Sequence, residues 1–422
     1  MSRTLRERIP VLLHDVTFRR FLAGQSVSLL GDQVALLAVP LVGVLVLHAT
    51  AAQMGYLVAA GVLPSLIFSL AAGARVDRRG HRRRTMLVAD LGRAALLASI
   101  PISYALGALT LVQLYVVAFS TGMLDVFFYV SYSTLFISMV PPDRYLEGNS
   151  LVNGSRSLMS VAGQSVAGLL VAVLSAPGAL VIDAVSFLVS AGGLAAISPT
   201  EPPVETAERG HLIAGVRFIW HSAVVRAALA ATATVNFFNF LFAAVFILYV
   251  TRSLHVSPAQ LGLVLGLGAS GGVLGAAVAS RIGNRIGVGP TFVLGSLLFP
   301  APILLVPLAR GSHLVVVLCL LVAEFGSCLG VLIMDISIGA IFAAVIPARL
   351  QARVSGAYRT VNMGVRPLGA LTGGALGTTF GLHTRDLGRR HRRAHWRAVA
   401  APVPDLRPTD AGHQGHHAEA TG

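Results

Sequence analysis

The chain is 422 residues long, 55% hydrophobic and 12% charged, with a formal net charge of +14. Proportions this far from those of a soluble domain place it in lipid, and its basic surplus suits anionic headgroups rather than nucleic acid. All 32 strongly basic residues are arginine, so a Walker-type phosphate loop and a Schiff-base site, which both need lysine, are excluded, and ATP hydrolysis with them.

Crossing a hydrocarbon core of about 30 Å takes roughly 20 helical residues. Eleven segments are long enough: Phe21 to Leu47, Ala51 to Ala74, Met86 to Leu106, Thr110 to Val140, Ser157 to Ala176, Gly178 to Ile197, Ala227 to Val250, Ala259 to Ser280, Gly289 to Leu308, Leu314 to Val345 and Val354 to Gly381. The region before Phe21 has no apolar core followed by a small-residue cleavage site, so it does not read as a removable signal peptide. Loop charge then sets the orientation. Arg3, Arg6, Arg8, Arg19 and Arg20 precede the first span, and alternate connections carry Arg75 to Arg84, Arg144 with Arg156, Arg209 with Arg217, Arg281 with Arg285, and Arg349 with Arg353 and Arg359. The opposite loops hold only Arg252 and Arg310, so the positive-inside rule places the amino terminus in the cytoplasm.

The longest connection, Ser198 to Arg226, divides the chain. Residues 1–198 read as an N-terminal half of six helices, 199–225 as a cytoplasmic linker, and 226–381 as a C-terminal half with five spans; 382–422 read as a tail without a span. Between the second and third spans lies Gly73-Ala74-Arg75-Val76-Asp77-Arg78-Arg79-Gly80-His81-Arg82-Arg83-Arg84, with six arginines in one connection. Ser280-Arg281-Ile282-Gly283-Asn284-Arg285-Ile286-Gly287 holds the equivalent place in the second half, which points to a weak repeat of six helices.

The spacing of Gly73, Asp77, Arg78, Gly80 and Arg82 resembles motif A of the major facilitator superfamily. Phe18-Arg19-Arg20-Phe21 leading into Gly31-Asp32, the run Asp183 to Ala191, Gly215 to Trp220, and Pro367 to Leu371 resemble its enterobactin-exporter-like and drug-efflux-like branch. The resemblance spans Phe18 to Leu382 and implies an all-α membrane fold of two pseudo-symmetric six-helix halves, here with eleven spans and the twelfth helix missing. It also implies a midplane cavity lined by spans one, four, seven and ten, and a motif-A connection that gates by pairing Asp77 with arginines or with a helix amino terminus. Drug antiporters of the family often carry an arginine in the fourth span and Gly-Pro in the fifth. This chain has neither, since Gly163 is followed by Gln164.

Ionisable groups inside lipid cost several kcal/mol unless paired or wetted, so each is a candidate for function. Asp32 stands eleven residues into the first span, about 16 Å deep. Asp125, Glu324 and Arg366 lie at comparable depth in spans four, ten and eleven, and are expected to converge near the midplane. Asn236 and Asn239, one turn apart in span seven, are candidates for the substrate cavity. A desolvated carboxylate can exchange a proton near neutral pH, as proton-coupled antiport requires, and Asp32 is the first choice for that role. Asp125 and Glu324 read equally as cavity or structural groups, with Arg366 a possible neutraliser of either. Asp90 and Arg93, read as near the cytoplasmic end of span three, are expected to form an ion pair or join motif A, and Asp183 and Asp335 read as structural. Phe237, Phe238, Phe240, Phe242 and Phe246 read as packing or pocket residues, and Cys319 and Cys328 as packing thiols.

The tail from His383 onward is rich in Arg, His and Pro, and with eleven spans it would lie on the wrong side for its charge. A frameshift near Leu382 is the economical reading; a disordered tail, a tail kept inside by an eleventh span that does not cross completely, or metal binding by His413, His416 and His417, are the others. The functional expectation is a non-enzymatic secondary transporter in the bacterial inner membrane. It would be a monomer without cofactor or resident metal, exporting a small amphipathic drug or siderophore in exchange for protons by alternating access. An importer of the same fold, or a truncated chain that transports nothing, is the alternative.

Overall fold

A computed structural model describes residues 10–198 and 212–379, apart from the side chains of residues 70, 74, 77–79, 212–214, 348 and 352. The regular structure among these residues is helical throughout. The helices are α1 (Val16–Leu41, extended by a wide turn Val42–Val46), α2 (Ala51–Arg79), α3 (Arg82–Ala105) and α4 (Leu111–Met139). One continuous stretch, Tyr145–Ala195, turns at Ser175 and so forms two helices, α5 (145–174) and α6 (176–195). Then come a short α7 (Leu212–His221), α8 (Ala223–Arg252), α9 (Pro258–Ile286), α10 (Val288–Leu298, continued by short turns to Leu308), α11 (His313–Val345) and α12 (Ala348–Thr379).

The termini follow from the sequence chemistry. Backbone N–H groups at a helix start have no partner within the helix and must be satisfied locally. Asp15 accepts from the Thr17 and Phe18 N–H groups at 2.6 and 3.2 Å. Thr50 with Gln53, and Ser257 with Gln260, form reciprocal capping boxes, and Thr110, Ser222 and Ser312 cap α4, α8 and α11. At the bend between α5 and α6, Ser175 takes a left-handed backbone (φ 69°), and its hydroxyl accepts from the Gly178 N–H as the new helix begins.

Among the described residues nine stretches are long and apolar enough to cross a membrane; counting the bent one as two gives ten of the expected spans, and α12, at the place of the eleventh, is a long helix that carries arginines. Helices α1–α6 pack among themselves, as do α8–α12, and the two sets meet along two seams, α2 on α12 and α5 on α9. Small residues make those seams. Gly168 and Gly262 bring the α5 and α9 backbones together so closely that a Cβ on either would strike the other's Cα, and Gly55 faces Gly374 in the same way. Near these points Thr378 Oγ1 accepts from the Ala52 N–H at 3.0 Å, and Arg252 Nη2 donates to the Val44 carbonyl at 3.2 Å. All four contacts involve helix ends on the side of the charge-poor loops after α1, α5 and α8, so the halves are sealed on that face. Large apolar side chains such as Leu36, Ile102, Leu169 and Leu297 remain on the outer surface, where lipid covers them.

The motif-A connection differs from the expected loop. α2 continues through Gly73 to Arg79, and only Gly80 and His81 break the helix, Gly80 taking the left-handed conformation (φ 65°) that stops it. Gly80 therefore has a conformational reason, whereas Gly73 is helical with open space where a Cβ would stand. Arg82 is buried at the start of α3, and the side chains of Asp77 and Arg78 lie outside the described residues, as do the segments 199–211 and 380–422 with the tail.

Candidate functional site

The polar centre of the N-terminal half is built around Arg93 of α3, a residue the sequence reading placed nearer the membrane surface. It stands eleven residues from Arg82, about 16 Å along the axis, so it is a midplane group. Its side chain is buried, with the guanidinium between the rings of Phe128 and Phe187 at 4.4 and 4.2 Å from their centroids. Arg93 Nη1 donates to Asp125 Oδ1 at 2.6 Å, and Nη2 donates to Asp90 Oδ1. Asp90 also accepts from Ser190 Oγ at 2.7 Å, and Ser190 accepts from Gln25 Nε2 at 3.1 Å. A continuous chain of hydrogen bonds thus ties α1, α6, α3 and α4 together.

Two more acids complete the cluster. Asp183 of α6 is fully buried; Ser186 donates to its Oδ1 at 3.2 Å, while Oδ2 has no hydrogen-bond partner among the described residues. Gly31 makes this possible, because a Cβ there would overlap the Asp183 carboxylate and the Ser186 hydroxyl. Next to it, Asp32 makes no ion pair or hydrogen bond among the described residues, with Arg93, Asp125, Asp183 and Asp90 all within electrostatic range. Four carboxylates therefore surround one guanidinium. One positive charge balances one of them, so the set is stable in a dry interior only when protons or water are supplied.

Asp32 and Asp125 reach the surface of a cavity of about 190 Å³, Asp125 with 55% of its side chain exposed. From these acids the cavity runs past Gln25, Tyr129 and Tyr132 to Val152 and Arg156, toward the helix ends joined by the arginine-rich loops. It is closed at the opposite face by the glycine seams.

The other expected site residues do not join this group. Glu324 of α11 lies against Gly268 of α9, where it accepts a weak hydrogen bond from Cys328 Sγ at 3.6 Å; this is the packed interface of those helices, and Glu324 is not among the residues that line the cavity of Asp32 and Asp125. Arg366 neutralises neither Asp125 nor Glu324. Its Nε donates to Asn236 Oδ1 at 2.9 Å, its guanidinium lies 5.2 Å from the Phe240 ring, and Asp335 is the acid within electrostatic range. Asn236 in turn donates to the Asn362 side chain at 3.1 Å, and Tyr358 donates to Thr232 at 2.6 Å, a network between α8 and α12 in which the sequence reading had only Asn236 and Arg366. Asn239 makes no hydrogen bond among the described residues. The four charges expected to converge thus lie in three places: Asp32 and Asp125 share the N-terminal cluster, Glu324 packs against α9, and Arg366 joins the α8–α12 network. Mid-span depth was the signal that should have singled out Arg93.

The profile of the Major Facilitator Superfamily matches residues 21–399. The chain belongs to that superfamily. It is a multi-pass membrane transporter and not an enzyme. Among its relatives is the multidrug efflux pump Tap of Mycolicibacterium fortuitum, 27% identical over 429 residues that cover 96% of this chain and 98% of that protein. The Tap pump of Mycobacterium tuberculosis is 29% identical over 408 residues, covering 91% and 92%. Among solved structures, a bacterial homologue of the human lysosomal transporter Spinster, inward-facing and unoccupied, superposes with a TM-score of 0.66 at 14% identity, covering 90% of this chain and 85% of that one. At that identity the likeness concerns the fold alone.

Proposed function

We propose that this superfamily member is a proton-coupled exporter of small amphipathic compounds, working by alternating access across the bacterial inner membrane with its amino terminus inside. The observation that carries the reading is the placement of Asp32 and Asp125 on the cavity wall, beside Arg93 and in front of the buried acids Asp90 and Asp183. A proton entering this cluster neutralises a carboxylate and frees Arg93 from part of its load; a proton leaving restores the pull. Binding to one side and release to the other then need only the two halves to rock on their glycine seams. Asp77 and Arg78 of motif A are proposed to hold the arginine-rich face closed in the opposite state. The sealed charge-poor face supports an inward-facing state in this structure, and the two Tap relatives, named multidrug efflux pumps, support export and a drug-like substrate.

The test is uptake of ethidium and norfloxacin into inverted membrane vesicles energised by respiration. Accumulation that collapses with a protonophore, and is lost in Asp32→Asn, is the expected result. Transport of either compound that persists in Asp32→Asn with the gradient intact would remove Asp32 from the coupling role, and accumulation in right-side-out vesicles instead would reverse the direction.

A further inference from the structure

Beyond the acids, the cavity has a basic wall that proton coupling does not use. Arg156 of α5 and Arg359 of α12 come from opposite halves and converge on one ring: their guanidinium carbons lie 5.9 and 5.6 Å from the centroid of Tyr129. Arg156 also stands 5.4 Å from the ring of Tyr132. The two cations are therefore no farther apart than the sum of their distances to Tyr129. The registers agree independently, since Arg156, Arg359 and Tyr129 each lie ten or eleven residues from the arginine-rich end of their helices, about 16 Å along the axis. These are not headgroup anchors at a helix tip.

Neither arginine forms an ion pair among the described residues. Arg366, hydrogen-bonded to Asn236 and within electrostatic range of Asp335, also lies within electrostatic range of Arg359. The acids on this cavity are Asp125, engaged by Arg93, and Asp32, which lies within electrostatic range of Arg93; neither forms an ion pair with Arg156 or Arg359. Two guanidiniums without an ion pair among the described residues and a phenol ring, brought together at the interface of the two halves, offer charge-assisted donors to an incoming anion at the end of the cavity away from the acid cluster.

We infer that Arg156 and Arg359 form a bridging site for the acidic group of an amphiphile, a carboxylate or phosphate, whose apolar body lies along the tyrosines and phenylalanines of the cavity. The inference rests on the export reading only in taking this cavity as the substrate's. An anion held by both arginines ties α5 to α12 on the face that is open here, so occupancy favours closure of that face. The occupant's acidic group comes either from a soluble compound or from the headgroup of an anionic lipid entering from the inner leaflet.

The experiment is equilibrium binding by fluorescence anisotropy to the full-length protein in phosphatidylcholine nanodiscs, comparing norfloxacin, which carries a carboxylate, with its ethyl ester, which does not. The acid is expected to bind about tenfold or more tightly than the ester. Arg156→Gln and Arg359→Gln each abolish that preference, the double substitution costs little beyond either single one, and the matching lysine substitutions retain part of it. Unchanged unfolding temperatures, or retention by the lysine variants, exclude a folding defect. Repeating the measurement in phosphatidylglycerol nanodiscs assigns the source: competition that disappears in Arg359→Gln identifies a lipid phosphate as an occupant, and no competition assigns the site to soluble compounds. Equal affinity for acid and ester, no saturable binding of the acid, or glutamine variants that bind as the parent does would each overturn the inference. Binding requires no proton gradient and no Asp32, so its failure is distinguishable from failure of proton-coupled transport.

Discussion

Replacing Arg93 by glutamine tests whether that residue is the hub of the N-terminal half. The consequences for its two partners are unequal. Asp125 is more than half exposed to the cavity, and losing a partner there costs about 0–1 kcal/mol, as for other solvated pairs. Asp90 has no exposed surface, and without Arg93 it retains only the Ser190 hydroxyl; breaking a buried pair from one side costs about 3–5 kcal/mol. Loss of the two ring contacts adds roughly 0.5–2 kcal/mol each, partly recovered by glutamine's own packing. Equilibrium unfolding in mixed detergent micelles should therefore show Arg93→Gln destabilised by at least about 3–5 kcal/mol, the Asp90 contribution alone. Adding Asp90→Asn should restore most of that loss, because the orphaned charge is gone, while adding Asp125→Asn should restore little. If Arg93→Gln lies within about 1 kcal/mol of the parent, or if Asp125→Asn repairs it as well as Asp90→Asn does, the assignment of Asp90 as the dependent partner is refuted.

Other substitutions probe the remaining elements. Gly31→Ala places a Cβ on the Asp183 carboxylate and should cost about 1–3 kcal/mol, measured by the same unfolding assay, whereas Gly24→Ala, whose Cβ meets its nearest neighbour, the Ser190 Cα, at 3.4 Å, should be near neutral. Gly168→Leu drives a side chain into the Gly262 backbone and should open the charge-poor face; a cysteine at Leu29, in a background lacking Cys319 and Cys328, should then react faster with an impermeant maleimide added to intact cells, and an unchanged rate would contradict the seam's role. Glu324→Gln should leave gradient-driven uptake intact, since Glu324 packs against Gly268 away from the cavity; loss of uptake in a stably folded Glu324→Gln protein would return it to the coupling machinery.

The spans were legible because crossing lipid demands long apolar runs, and the arginines confirmed them by alternation. Apolar length did not mark the helix starts, which the capping side chains of Asp15, Thr50, Thr110, Ser257 and Ser312 set locally. Two features blurred the reading. Helices run past their apolar cores, so Arg156 and Arg359, counted as loop charges, stand three turns inside α5 and α12. And depth along a helix does not tell which face a residue takes: Asp32, Asp125 and Glu324 share a layer, yet Glu324 turns toward α9 because Gly268 leaves room for it there. Arg93 was visible as a partner of Asp90 three residues away, but its bond to Asp125 joins residues 32 positions apart and is set by how α3 packs on α4.

The most direct test of proton coupling at the Asp32 cavity is proton movement itself. Purified protein in proteoliposomes containing a trapped pH dye should shift the internal pH when norfloxacin is supplied to one side. Asp32→Asn should bind norfloxacin with parental affinity and move no protons. Proton movement of parental size in Asp32→Asn, or norfloxacin transport by the parent without any change in internal pH, would contradict the account.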